Sequence, residues 1–151
     1  MPFEYNAKVN KVVDGDTINV DIDLGFNVIL SNQNVRLLGI DTPESRTSDK
    51  VEKAFGLLSK SKVEEFIKNC EEKVILQTFL SDSDEKFGRL LGKVINPKNK
   101  DVLNDWLIVN HFAVAYNGGN KTKINAAHLS NRKFLIDNKF ISINYSQAGI
   151  N

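Results

Sequence analysis

Apolar and polar positions alternate along the first third of the chain, and the period changes from two to helical near residue 49. Residues 17–23 read Thr-Ile-Asn-Val-Asp-Ile-Asp, the pattern of a strand with one face buried and one wet. Residues 4–13 predict a strand before it, joined through the turn triplet Asp14-Gly15-Asp16. Leu24-Gly25-Phe26 predicts a bend or hairpin tip, residues 27–30 a return strand, and residues 34–40 a further strand. Pro43 stops the pairing there, because proline has no N–H to give a ladder. Over 49–68, Val51, Phe55, Leu58, Val63 and the pair Phe66 and Ile67 recur at helical spacing, with Ser48 in the place of an N-cap. Strands are expected again over 73–79 and 89–95, with polar Ser81-Asp82-Ser83-Asp84 between them and a turn at residues 96–100. A short helix over 102–110 and a last helix over 122–137 complete the pattern. Strands gathered first and helices interleaved later predict an α+β fold, in one domain spanning residues 1–151.

Composition narrows the class. A chain of 151 residues has room for one well-buried core, and 41% apolar with 26% charged residues is the make-up of an ordinary globular domain. No run approaches the length of a membrane span, so no membrane partner is expected. Met1-Pro2-Phe3-Glu4-Tyr5 lacks the basic-then-apolar form of an export signal, so the expected place of action is intracellular. Richness in asparagine and lysine suits a phage or a low-GC bacterium, with action in the host or bacterial cytoplasm. The single cysteine, Cys70, excludes an internal disulfide and reads as an inert, semi-buried thiol. Net charge is only +1, but it is unevenly spread: residues 1–50 carry five basic and eight acidic groups, residues 120–151 five basic and one acidic. The acidic first part suits a cation and the basic last part suits a polyanion.

Four short islands carry the candidate chemistry: Asp14-Gly15-Asp16-Thr17, the run from Arg36 through Asp41-Thr42-Pro43-Glu44, Phe87-Gly88-Arg89, and Tyr116. Together they supply carboxylates for a hard cation, a further carboxylate to handle a proton, and two guanidiniums for a phosphate. That inventory is what metal-assisted phosphodiester cleavage requires. Each island has a plainer reading: Asp-Gly-Asp-Thr as a tight turn, Glu44 as an exposed loop carboxylate, each arginine as a structural ion pair. Arg36 fits its plainer reading poorly, since it interrupts the apolar strand Val35, Leu37, Leu38 and Ile40, where an unpartnered charge is costly. The neighbourhood offers oxygen donors only, which suits Ca²⁺, and the Asp-x-Asp-x-Asp-Gly pattern of an EF-hand is absent.

The order and spacing of the islands resemble the staphylococcal nuclease (thermonuclease) family, from about residue 9 to about residue 129. The resemblance implies a five-stranded Greek-key OB-fold β-barrel with three α-helices, a scaffold that binds oligonucleotides across one strand face. It also implies a site. Asp16, Asp41 and the Thr42 carbonyl would hold Ca²⁺, with Asp14 just outside that shell. Glu44 would act as general base on the attacking water, at its usual protonation near neutral pH, and Arg36 and Arg89 would stabilise the charge developing on phosphorus. Lys86 and Tyr116 would grip the substrate. The implied activity is Ca²⁺-dependent hydrolysis of DNA and RNA with little sequence specificity, single strands favoured, giving 3′-phosphate and 5′-hydroxyl ends, by a monomer.

The chain departs from the family pattern in three places. Phe87 stands where the family's secreted nuclease has a tyrosine before Gly-Arg, and of a tyrosine pair around the bound base only Tyr116 is kept, with Gly118 near the second position. The stretch from Asp16 to Arg36 is about six residues longer, predicting a longer β-hairpin beside the site. His111 and His128, each without a second histidine at helical spacing, read as structural or surface residues, and Trp106 as core. Two other functions compete: a non-catalytic nucleic-acid-binding OB module and a calcium-stabilised interaction domain. The joint presence of Asp16, Arg36, Asp41, Glu44 and Arg89 argues against both, because neither needs a base and two arginines around a cation site.

Overall fold

The computed structural model describes residues 3–79 and 90–151. Chain order is β1 (Phe3–Asp14), β2 (Thr17–Asp23), β3 (Ile29–Leu37), β4 (Ile40–Asp41), α1 (Lys50–Asn69), β5 (Lys73–Thr78), β6 (Leu90–Ile95), α2 (Leu103–Val109), β7 (Val114–Ala115) and α3 (Lys121–Asp137). Five strands close into a barrel in the order β1-β2-β3-β6-β5, and β4 pairs with β7 in a small separate sheet. Neighbours in the barrel are antiparallel except β3 and β6, which run parallel with Val35 opposite Leu90 and Leu37 opposite Gly92. With three helices around it, this is the α+β OB-fold barrel that the family resemblance implies.

Inward-facing Val9, Ile18, Val20, Ile22, Val35, Leu37, Val74, Leu76 and Val94 fill the barrel and are all nearly inaccessible to water. Phe55, Val63, Phe66 and Ile67 of α1 and Leu103 and Leu107 of α2 extend that core outward. Trp106 packs as expected, its ring 5.6 Å from Phe66 and 6.0 Å from Phe112. Cys70 is fully buried rather than semi-buried, and burial raises its thiol pKa, which keeps it an inert thiol. Among the described residues no helix is long and apolar enough to cross a membrane.

Two local expectations need correction. The N-cap of α1 is Asp49, not Ser48: its carboxylate accepts from the backbone N–H of Val51 at 3.0 Å and of Glu52 at 3.1 Å. The stretches 27–30 and 34–40 do not form two strands; one strand, β3, runs through Ser31-Asn32-Gln33 and ends at Leu37. A bulge makes this possible. Val20 faces Gln33 and Ile22 faces Leu30, so two residues of β3 oppose Asp21 alone. Asn32 takes a left-handed φ of 58° there, and its N–H donates to the Asp21 carboxylate at 2.9 Å. Polar residues that read as a break are thus absorbed within a paired strand.

Candidate active site

The turn between β1 and β2 is packed from below. A Cβ on Gly15 would lie 2.9 Å from Thr42 Oγ1 and 3.0 Å from Ser59 Cβ, so only glycine lets this turn seat against them. Asp14 accepts hydrogen bonds from the Gly15 N–H at 2.9 Å and from Ser45 Oγ at 2.6 Å, which ties the turn to the segment after Pro43. The Asp16 carbonyl accepts from the Leu37 N–H at 2.8 Å. Register then sets Thr17 opposite Arg36, so the guanidinium arrives beside the Asp16 carboxylate.

Arg36 stands between two carboxylates. Its Nη1 lies 3.1 Å from Asp16 Oδ2 and its Nη2 3.7 Å from Asp41 Oδ1. The nearer contact pairs charge without hydrogen-bond alignment, and the buried Nη1 finds no acceptor among the described residues. Asp16 is itself buried, and its carboxyl is pushed above its ordinary pKa: burial is the largest cause, Arg36 opposes it, and Asp14 and Asp41 add repulsion. One guanidinium does not offset the loss of water and two neighbouring acids. Thr42 is also buried, and its Oγ1 has no hydrogen-bond partner among the described residues.

Glu44 stands at the mouth of the same pocket. The backbone of α1 presses on its main chain: a Cβ on Gly56 would come within 2.3 Å of the Glu44 carbonyl oxygen and 2.6 Å of the Ser45 nitrogen. From the other side the Glu44 N–H donates to Glu52 Oε1 at 3.3 Å. The residue is exposed overall, yet partial loss of solvent, followed by the charges of Asp14, Asp16, Asp41 and Glu52, raises its carboxyl pKa. Loss of water is the largest cause, and the acidic cluster adds to it.

The pocket is lined by Asp14, Asp16, Thr17, Asn34, Arg36, Asp41, Glu44 and Arg46 and encloses about 450 Å³. Arg36 is also a wall of an adjoining, more apolar groove of about 530 Å³, bounded by Leu38, Gly39, Ile40, Leu91, Tyr116 and Gly118. Tyr116 is anchored there by its N–H, which donates to the Gly39 carbonyl at 2.8 Å, and its side chain is partly exposed. A larger hollow, about 790 Å³ between Ile136 and Gln147, holds none of the candidate residues; donor chemistry, not size, selects the acidic pocket.

Asp16, Arg36, Asp41, Thr42 and Glu44 therefore converge, with Asp14 beside them and Tyr116 in the next groove. Lys86, Phe87 and Arg89 lie outside the described residues. A profile described as "Staphylococcal nuclease homologue" matches residues 34–134, about two thirds of the chain. The chain belongs to the staphylococcal nuclease family. It is 29% identical over 121 residues to "Endonuclease YhcR" of Bacillus subtilis (strain 168), an alignment covering 75% of this chain and 9% of that protein. The chain thus spans about a tenth of the relative it matches.

Three parts of the site escape sequence reasoning. His128 is not a surface residue apart from the site: its Nε2 lies 2.8 Å from Asp41 Oδ2, and its side chain is 17% exposed. Arg46, which lines the pocket, donates from Nη2 to the Val13 carbonyl at 3.3 Å. Arg132 donates to Glu52 Oε2 at 2.9 Å, so a helix far along the chain braces the residue that holds Glu44. A usable signal existed in the spacing of His128, Arg132 and Leu135, which fall on one helical face whose apolar member is buried. His111 is structural as expected, stacked 3.7 Å from Phe134 with Nδ1 3.2 Å from Asn131 Oδ1. The long hairpin lies beside the site at its base, where Thr17, Asn34 and Arg36 line the pocket. Its tip lies at the far end of β2, whose seven residues at about 3.3 Å each put roughly 20 Å between them.

Proposed function

We propose that this domain is a Ca²⁺-dependent nuclease that hydrolyses DNA and RNA with little sequence preference. The observation that carries the reading is the placement of Arg36, between two carboxylates, with a buried donor that makes no hydrogen bond among the described residues, on the wall shared by an acidic pocket and an apolar groove. A nucleotide suits that arrangement, with phosphate at the guanidinium and base toward Tyr116.

The donor set fits a hard divalent cation. Asp16 and Asp41 present oxygen only, and both face the single guanidinium of Arg36, with Asp14 and Glu44 lining the same pocket. Among the described residues no three acidic, histidine or cysteine side chains form a cage, so backbone and water oxygens would complete the coordination, as Ca²⁺ tolerates and Mg²⁺ resists. Bound there, the cation would neutralise a non-bridging phosphate oxygen.

The residues of the chain do the rest. Glu44 accepts a proton from the attacking water, and its raised pKa moves it toward the match with neutral pH that a general base needs. Arg36 offers its guanidinium N–H to the phosphoryl oxygen as charge builds, and Arg89 is proposed as the second donor. Asp14 holds the turn and the Glu44 segment together through Ser45 rather than touching substrate. The bond to the 5′ oxygen breaks, leaving 3′-phosphate and 5′-hydroxyl ends.

The test is incubation of the purified protein with single- and double-stranded DNA and RNA in Ca²⁺, in Mg²⁺ and in chelator, with the product ends identified. Cleavage in Ca²⁺, little in Mg²⁺ and none in chelator is expected. Full activity in chelator removes the cation from the reaction, and 5′-phosphate products overturn the assigned bond.

A further inference from the structure

The contact between His128 and Asp41 joins residues 87 positions apart and ties α3 to the acidic pocket. We infer that His128 is a positioning residue that sets the Asp41 carboxylate for cation binding. The inference rests on the reading of Asp16 and Asp41 as the cation's carboxylates.

The geometry divides the two oxygens of Asp41. Oδ2 takes the imidazole at 2.8 Å, while Oδ1 faces Arg36 Nη2 at 3.7 Å, on the side shared with Asp16. An aspartate's terminal torsion is broad and roughly two-fold, so an unheld carboxylate turns readily and presents either oxygen. A donor fixed on Oδ2 removes that freedom and leaves Oδ1 committed to the pocket. The hydrogen-bond pattern assigns the proton to Nε2, since the carboxylate opposite it can only accept.

The imidazole is itself held by the helix that carries it. One turn on, Arg132 donates to Glu52 Oε2 at 2.9 Å and to the Ala148 carbonyl at 3.0 Å, and its guanidinium lies 5.1 Å from the centre of the Phe55 ring. Asn131 Nδ2 donates to the Ala113 carbonyl at 3.1 Å, next to β7, the strand that pairs with the β4 residues Ile40 and Asp41. Leu135 is buried below them. The face of α3 bearing His128 is therefore locked to the strand pair that carries Asp41 and cannot drift away from it. Hydrogen bonds that orient a ligating carboxylate are typically worth about 10–100-fold in cation affinity.

The plainer alternative is that His128 staples α3 to the barrel and does nothing for the cation. Calcium titration calorimetry on the full chain separates the two, using the parent, His128→Ala, His128→Leu and His128→Gln, with melting temperatures in chelator. Glutamine keeps an N–H donor near the Nε2 position, whereas leucine fills the space without one. The expected result is about 10–100-fold weaker Ca²⁺ binding for the alanine and leucine variants and substantial recovery for glutamine. Should alanine fail to fold, the leucine–glutamine contrast decides. Equal Ca²⁺ affinity in parent and leucine variants, even with a lower melting temperature, reduces His128 to a staple and overturns the inference. A parent that binds no Ca²⁺, and behaves in the titration as Asp16→Asn does, overturns the carboxylate reading together with it.

Discussion

The two ends of β2 carry turns of opposite character. At one end Asp14-Gly15-Asp16 is buried against Thr42 and Ser59, tied by Asp14 to Ser45, and loaded with negative charge. At the other, residues 24–28 stand in solvent: Gly25, Phe26 and Asn27 all take positive φ, Phe26 is 99% exposed, and the bend is closed by hydrogen bonds between Leu24 and Val28 and between Val28 and Gly25. The first turn joins β1 to β2 and the second joins β2 to β3, both antiparallel pairs of the same barrel, so strand pairing does not distinguish them. The difference lies in what packs behind. The first turn has α1 and the Thr42–Ser45 segment beneath it, which fix where its carboxylates stand. The second has only water, so its sequence is free to lengthen without disturbing the chemistry.

That contrast can be broken from the site end first. Glu44→Gln is expected to lower turnover by roughly 10²–10⁴ while leaving substrate binding in place, read from kcat and KM separately. Arg36→Ala follows, with a loss on the order of 10²–10³ in turnover and weaker binding of a phosphate-bearing inhibitor. A parent rate in Glu44→Gln would remove it as the base.

Gly56→Ala asks whether packing behind the turn matters. Its new Cβ would sit 2.3 Å from the Glu44 carbonyl oxygen, a main-chain atom that cannot swing aside. The expected cost is about 1–3 kcal/mol, with activity falling as the Glu44 segment shifts. Denaturant unfolding and turnover are the measurements, and an unchanged pair would mean that α1 does not position the base.

Charge at the buried turn gives a third test, with a sign. Asp16 has its folded pKa raised above the ordinary 3.8, so its protonated form favours the native state. That stabilising contribution is complete below the unfolded pKa and disappears as pH rises through the folded one. At neutral pH the ionised carboxylate therefore costs stability, and Asp16→Asn should melt at a higher temperature than the parent in chelator. The gain should shrink toward zero in acid, where the parent carboxyl is also neutral, and activity should be lost at every pH. A lower melting temperature for Asp16→Asn at pH 7 would mean that the Arg36 pairing outweighs burial.

The smallest effect is expected at the opposite tip. Phe26→Ser should change stability by no more than about 0.5 kcal/mol and leave turnover unaltered, because an exposed ring with nothing packed behind it contributes little. A clear loss of cleavage there would bring the hairpin into substrate contact and end the contrast drawn above.

Much of this was legible in the residues themselves. Alternation over residues 17–23 matches β2, and helical spacing over 49–68 finds α1 to within a residue or so, because burial on one face is written locally in the period of apolar positions. The carboxylates and Arg36 were readable for a similar reason: each sits at a strand end or within an apolar strand, where its presence needs a cause. What the residues could not convey depends on pairings without local pattern. The parallel pairing of β3 with β6 closes the barrel across a gap of more than fifty residues. The bulge at Asn32 converts an apparent break into a continuous strand only because Asp21 waits opposite it. His128 looked like a lone helical histidine because its partner, Asp41, lies 87 residues away. Local chemistry named the donors; only tertiary packing decided which of them meet, because which surfaces come together depends on the whole core, while a side chain's period depends on its neighbours alone.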